Sequence, residues 1–326
     1  MKPAKIMAGL MAVILALAWA GLARADGPVI WFCPLDPLLR PEVGYGGSPQ
    51  YMDLFSTDAR WRQAAAHVNV FKIYPQWISR ASDDDLRRQF ADLNRRGIAL
   101  ALEFGVLTAP PGHGGVEGFG GNFMLAAAKR IQRDGGTLRY VAMDEPIFFS
   151  TVYAGQHAVH WTPDEAAANA AQNIKALLAE FPEVKFGDIE PLVDVKSLAS
   201  FPDLISRYQE GIRAFRKALG VPLAFFDADI DWNSPSFPAN LIALHKMVAG
   251  EGLPFGIIYD GDSPDKSDAS WIHSAERHLK AAEQNITPDC VIFQSWHAYP
   301  KKLLPETDPD SFTWMLAHYA PPASSK

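Results

Sequence analysis

Residues 28–37 read Pro-Val-Ile-Trp-Phe-Cys-Pro-Leu-Asp-Pro, a short apolar run stopped by prolines, and the residues just after the run decide between two architectures. Such a run, bounded by turn formers, marks a strand buried on both faces. In an open, doubly wound sheet the first strand usually leads into a glycine-rich phosphate loop. Here that position holds Pro34-Leu35-Asp36-Pro37 instead. Outward from this point the pattern repeats. Apolar runs at 68–74, 98–106, 138–144, 185–190, 222–229, 254–260 and 289–296 join 28–35 to give eight strands. Between them lie stretches of helical period, as in Leu86, Phe90 and Leu93, or Ala168, Ala171, Ile174, Leu177 and Leu178. The latter helix opens with Thr162-Pro163-Asp164-Glu165, which supplies an N-cap, a proline at the first helical position and early negative charge. Gly97, Gly135, Gly136, Gly220 and Gly252 fall just past helix ends, where a left-handed backbone is usual. Eight such units in about 250 residues close most naturally as a (β/α)8 TIM barrel. No repeat, linker or composition break divides residues 26–326, which read as one domain. Two long loops, 35–58 and the glycine-rich 107–122, emerge at the C-terminal rim, where barrel enzymes keep their active sites.

Residues 1–25 carry Lys2 and Lys5, an apolar run from Ile6 to Leu22, and the small-residue close Ala23-Arg24-Ala25. This predicts a cleaved signal peptide and a secreted or periplasmic protein with no stable membrane insertion; a single membrane anchor is the alternative. Cleavage removes Lys2, Lys5 and Arg24 and takes the formal charge from −7 to −10. Such acidity argues against a nucleic-acid partner, whose phosphates need a basic face. Cys33 and Cys290, the two cysteines, fall on neighbouring strands near opposite ends and read as separate buried thiols.

The C-terminal ends of the strands carry the chemistry. In order they hold Asp36; Lys72 and Tyr74, with Trp77 beyond; Glu103; Asp144 and Glu145; Asp188 and Glu190. Then come Asp227 and Asp229, with Asp231 and Trp232; Tyr259, Asp260 and Asp262; and Gln294, Trp296 and His297. Single acids often cap helices or pair with cations. A ring of them around one low-dielectric mouth repels and raises the pKa of each, a cost that usually reflects function. The period of two places Asp188 with Glu190, and Asp227 with Asp229, on one strand face each, so either pair is able to point into the mouth. Pro146 ends strand four, which frees Glu145 to lean over the barrel. Carboxylates and aromatics in this arrangement suit cleavage of glycosidic bonds: one carboxyl protonates the leaving oxygen, and another, ionised, attacks the sugar carbon or activates water. Trp31, Trp77, Trp232, Trp296 and Tyr259 offer flat apolar surfaces for sugar rings, with core packing as the competing role for each.

Met143-Asp144-Glu145-Pro146 at the end of strand four resembles the Asn-Glu-Pro motif of the large clan of retaining glycoside hydrolases with (β/α)8 barrels, which contains many cellulases, mannanases and β-galactosidases. Ser295-Trp296 at the end of strand eight is similar to that clan's tryptophan beside the cleaved sugar. The resemblance implies that Glu145 is the acid/base. Two positions depart from it: Asp144 stands for the clan's asparagine, and Tyr259-Asp260-Gly261-Asp262 stands where its glutamate nucleophile lies. Glu190 or Asp260 is therefore the expected catalytic partner of Glu145. Asp144, Asp227, Asp229, Tyr74, Trp77, Glu103, Tyr259, Asp262, Trp296 and His297 are expected to bind a carbohydrate, with no cofactor and no metal. Two further readings stand beside this one. Glu190, Asp227, Asp229, Asp260 and His297 could ligate a divalent ion in a sugar-isomerase or phosphodiesterase barrel, although strand one lacks the usual histidines. A barrel that binds glycans without cleaving them is the other, kept open by the departures on strand seven.

Overall fold

Each of the eight apolar runs forms a strand in the computed structural model, which describes residues 27–39, 47–194 and 201–321. They are β1 (Val29–Cys33), β2 (Val70–Ile73), β3 (Ala99–Phe104), β4 (Leu138–Asp144), β5 (Lys185–Leu192), β6 (Phe226–Ile230), β7 (Phe255–Tyr259) and β8 (Cys290–Gln294). All neighbours pair in parallel and β1 pairs with β8 from Val29↔Cys290 to Cys33↔Gln294, so the sheet closes in chain order. The protein is a (β/α)8 TIM barrel. The proposed signal, 1–25, and part of the first rim loop, 40–46, lie outside the described residues. Among the described residues no helix is long and apolar enough to cross a membrane.

The pleat sorts each strand into two layers. Val29, Trp31, Val70, Ala101, Tyr140, Ala142, Phe225 and Ile292 fill the barrel. Trp31 meets Tyr140 and Phe225 with ring centroids 5.3 and 5.1 Å apart. Gly187 on β5 belongs to this inner layer, because a Cβ there would lie 2.2 Å from the Phe225 ring. Phe186, Leu192, Phe226, Ala228, Ile257 and Tyr259 pack outward under the helices. Asp188 and Glu190 share the phase of Phe186 and Leu192. They lie together on one face, as their spacing requires, but it is the helix-facing side and not the mouth.

The helices follow their end signals. Asp83–Arg96 starts on Ser82, whose side chain accepts from the Asp85 N–H, carries three aspartates in its first turn and stops at Gly97 with φ 70°. It buries Leu86, Phe90 and Leu93. Pro163–Glu180 has a full capping box between Thr162 and Glu165. Its buried stripe runs through Ala166, Ala167, Ala170, Ala171, Ile174 and Leu177, which leaves Ala168 exposed: a run of alanines does not define the phase of a helix. Gly97, Gly135, Gly220 and Gly252 take positive φ, whereas Gly136 does not and is small for another reason, a Cβ there lying 2.7 Å from Ile131. Cys33 and Cys290 are separate buried thiols at opposite ends of their strands.

Candidate active site

Where the strands end, a cavity of about 300 Å³ opens into the C-terminal mouth. Five carboxylates line it, those of Glu103, Glu117, Asp144, Glu145 and Asp229. Tyr74, Gln76, Gln294 and Trp296 also line it. A larger hollow of about 610 Å³ lies on the outer surface between helices Asp268–Glu283 and Phe312–His318. There Glu283 is held by the hydroxyls of Tyr259 and Tyr319, and no comparable cluster of acids faces the space.

Glu145 is placed by its backbone. Its φ is +48°, a left-handed conformation that costs a non-glycine residue roughly 1–2 kcal/mol and persists only where neighbours enforce it. The Glu145 N–H donates to the Ile189 carbonyl at 3.1 Å, continuing the β4–β5 ladder one residue past the strand, and its carbonyl accepts from the Phe149 N–H at 3.1 Å. Pro146 then turns the chain into a helical turn, Phe148–Val152. Glu190 fixes that turn from behind: its two carboxylate oxygens accept from the N–H groups of Ile147 at 2.6 Å and Phe148 at 2.9 Å. From above, Gly118 at φ +84° brings the glycine-rich loop against the same residues. A Cβ on Gly118 would lie 3.2 Å from the Asp144 carbonyl oxygen and 3.4 Å from that of Glu145.

Among the described residues that line the cavity, the charged side chains are all carboxylates. Lys72, buried, is held in an ion pair with Glu103. Burial alone would lower its pKa, but the adjoining Glu103 carboxylate and further negative groups raise it, so it stays a cation. The Gln294 Nε2 donates to Glu103 at 2.9 Å and to the Tyr74 hydroxyl at 3.0 Å, and that hydroxyl donates to the Ser295 carbonyl at 3.0 Å. Burial pushes the Glu145 carboxyl well above the usual range, and the charges of Asp229, then Asp144, Glu117 and Glu190, push it the same way. Asp144 rises through burial and then through Glu103 and Glu117. Asp229 is pushed up to about 7, by burial first and then by Glu103 and Glu117. Burial and its acidic neighbours thus favour the protonated form of Glu145, and Asp229 is the carboxylate that acts on it most strongly.

Tyr74, Glu103, Asp144, Glu145, Asp229 and Trp296 therefore come together, and the other expected site residues do not. Glu190 faces the helices and caps a turn. Asp227 points inward but lies a pleat below Asp229, packed on the bare Cα of Gly256, where a Cβ would sit 2.0 Å from its Oδ1. Asp260 accepts from Trp232 Nε1 at 2.7 Å and lies 3.7 Å from His297 Nδ1, beside the cavity and outside its lining. Trp77 is core, edge-on to Tyr51 and bonded through Nε1 to Gln89 at 2.6 Å. Tyr259 points outward to Glu283, and Asp262 is paired with Arg277 at 2.8 Å. The sequence places Gln294 at a strand end without giving it a role, and offers neither Glu117 nor Gln76 as a lining residue; the glycines around position 117 were the available signal. Among the described residues no group of three or more His, Cys, Asp or Glu side chains is arranged to hold a metal ion, so the five proposed ligands do not converge.

No protein-family model matches this chain, and no curated protein does. Among solved structures, a fungal β-1,4-galactanase aligns at 11% identity with a TM-score of 0.53, over 89% of this chain and 98% of its own. A psychrophilic glycoside hydrolase family 10 endo-β-1,4-xylanase aligns at 10% identity and 0.51, over 82% and 87%. The carboxyl transferase domain of Rhizobium etli pyruvate carboxylase aligns at 12% identity and 0.48, over 82% of this chain. This chain spans 24% to 41% of the pyruvate carboxylase chains it matches. At such identities the likeness is one of fold, which hosts unrelated chemistries.

Proposed function

We propose that the protein is a secreted or periplasmic glycoside hydrolase that cleaves a polysaccharide or oligosaccharide with Glu145 as proton donor and Asp229 as the ionised partner. The reaction needs one carboxyl that keeps its proton until the leaving oxygen takes it, and one that carries negative charge opposite the sugar carbon. The observation that carries the reading is Glu145 itself: an acid on a left-handed turn, raised by burial, in a cavity where Asp229 is its strongest electrostatic neighbour. Burial raises both carboxyls, Asp229 to about 7, so Asp229 serves as the ionised partner above that pH. Asp144 lies within reach of the same sugar, and Trp296 with Tyr74 supports a flat wall for its C–H face. Glu190 keeps a part as the residue that positions the turn beneath Glu145.

The test is release of reducing ends from a panel of soluble polysaccharides. Glu145→Gln should lower turnover by about 10²–10⁴-fold, the usual worth of a general acid, and Asp229→Asn should do comparable damage. Near-normal turnover of Glu145→Gln removes it from the acid role. The second reading, glycan binding without cleavage, is favoured by Asp260, whose carboxylate is taken up by Trp232 where the resemblance implies a nucleophile. It calls for saturable binding and no reducing ends from the wild type after prolonged incubation.

A further inference from the structure

Resting on the reading of Glu145 as proton donor, we propose that His113 and His157 are positioning residues, a reciprocal latch that joins the β3 loop to the segment after β4 and so holds the Glu145 turn in place. Each ring donates to the other's segment. The Nδ1 of His113 lies 3.0 Å from the His157 carbonyl oxygen, and the Nδ1 of His157 lies 2.8 Å from that of Gly112. A carbonyl only accepts, so both rings carry a proton on Nδ1. The same two segments meet at two further places: the Phe119 ring is edge-on to Trp161 at 5.7 Å, and Gly118 lies against the carbonyls of Asp144 and Glu145.

An independent observation shows what the latch has to hold. Among the described residues three that are not glycine take a positive φ: Glu145 at 48°, His157 at 65° and His160 at 52°. All three lie in the one segment that runs from β4 to helix Pro163–Glu180. A left-handed backbone persists in such residues only where contacts enforce it. The Trp161 N–H folds the segment back on itself by donating to the Ser150 carbonyl at 2.7 Å. The β3 loop, for its part, has a fixed base: the Thr108 N–H donates to Asn169 Oδ1 at 2.8 Å, and the Thr108 carbonyl accepts from Asn169 Nδ2 at 3.1 Å. The latch thus ties a strained segment to an anchored loop. Its release frees the segment that begins at Glu145 and the Gly118 edge that rests on it.

Hydrogen exchange on the full chain, read by mass spectrometry, and steady-state rates are measured for His113→Ala, His157→Ala and His157→Asn. Asparagine keeps an N–H donor near the place of Nδ1 and tolerates a left-handed backbone, so it should restore what alanine removes. Each alanine variant should speed exchange about three- to tenfold in residues 105–123 and 145–162 together, the Phe149 amide on the Glu145 carbonyl included, and leave the rest of the barrel unchanged. On the soluble polysaccharide that the wild type cleaves fastest, kcat should fall by a similar factor at an unchanged KM, since the acid acts in the transition state. Exchange that is unchanged, or faster in one segment alone or throughout the chain, overturns the proposal. So does an unchanged kcat, or an asparagine variant no better than alanine. Local loosening with asparagine rescue, in a protein whose wild type cleaves no polysaccharide, sinks the proton-donor reading and leaves the latch standing.

Discussion

Glu145 and Glu190 sit on adjacent strand ends with the same side chain, and the backbone sends them to opposite sides of the barrel wall. Glu145 leans over the cavity from a turn at φ +48°, while Glu190 accepts two backbone N–H groups behind it. The two should therefore answer the same substitution differently. Glu190→Gln replaces one acceptor oxygen by an NH₂ that faces a buried N–H, so it should lower stability by about 1–3 kcal/mol. It should keep turnover within a few-fold in protein that remains folded. Urea unfolding and steady-state rates on the same preparations check this; a loss of turnover as deep as that of Glu145→Gln, at unchanged stability, would return Glu190 to the chemistry. The sequence could not separate the two roles. A strand of a parallel barrel is buried on both faces, so Asp188 and Glu190 show no polar side by which to read their phase. The clue was Gly187, because glycine inside a strand marks close approach, here by the Phe225 ring.

One element joins the fold to the site, the loop that leaves β3 and returns near Gly121. It closes on itself through a bridge between Leu107 and Phe119, and Asn173 of helix Pro163–Glu180 ties it down by donating to the Val106 carbonyl at 2.9 Å. Its inner edge, Gly118, rests on the carbonyls of Asp144 and Glu145, and Glu117 beside it completes the ring of acids. Gly118→Ala would force a side chain into a positive φ and against those carbonyls, for roughly 1–2 kcal/mol of destabilisation. Its sharper effect should be on rate: displacing the loop moves Glu117 and loosens the Glu145 turn. A fall in kcat of tenfold or more, with a modest change in melting temperature, is the expected pair of results. An unchanged kcat would mean that the loop does not position the acid. Glycine-rich composition told of a long rim loop, but contact between Gly118 and the Glu145 turn is tertiary, and no local pattern carries it.

At the scale of the whole molecule the barrel was legible because eight apolar runs and their helix caps agree, and because burial on both faces forces parallel strands to read as continuous apolar stretches. What those stretches hide is the number of acids the barrel buries, and this sets how stability must vary with pH. Burial raises Asp36 to about 6 and Asp227 and Asp229 to about 7, with Lys72 opposing the rise of Asp227. In the unfolded chain these groups titrate near 4. Between the two values the native state therefore holds protons that the unfolded state has lost, and stability falls as pH rises through that window. A tenfold change in proton affinity corresponds to about 1.4 kcal/mol, so the rise of Asp227 from near 4 to about 7 should cost on the order of 4 kcal/mol above that pH. Acids of the opposite kind lie at the surface: Asp83 and Asp308 are lowered chiefly by hydrogen bonds from Arg130 and Lys302, and Glu165 by the Thr162 N–H. Their stabilisation is present above the ordinary carboxylate range and is lost as pH falls through their lowered values. The two sets place the stability maximum at about pH 4–5, below the range usual for proteins. Urea midpoints should therefore decrease between about pH 5 and about pH 8, and Asp227→Asn should shrink that decrease. A midpoint that holds steady or climbs over this interval would show that the interior acids are already ionised and compensated, and would remove the electrostatic ground for Glu145 as a resident acid.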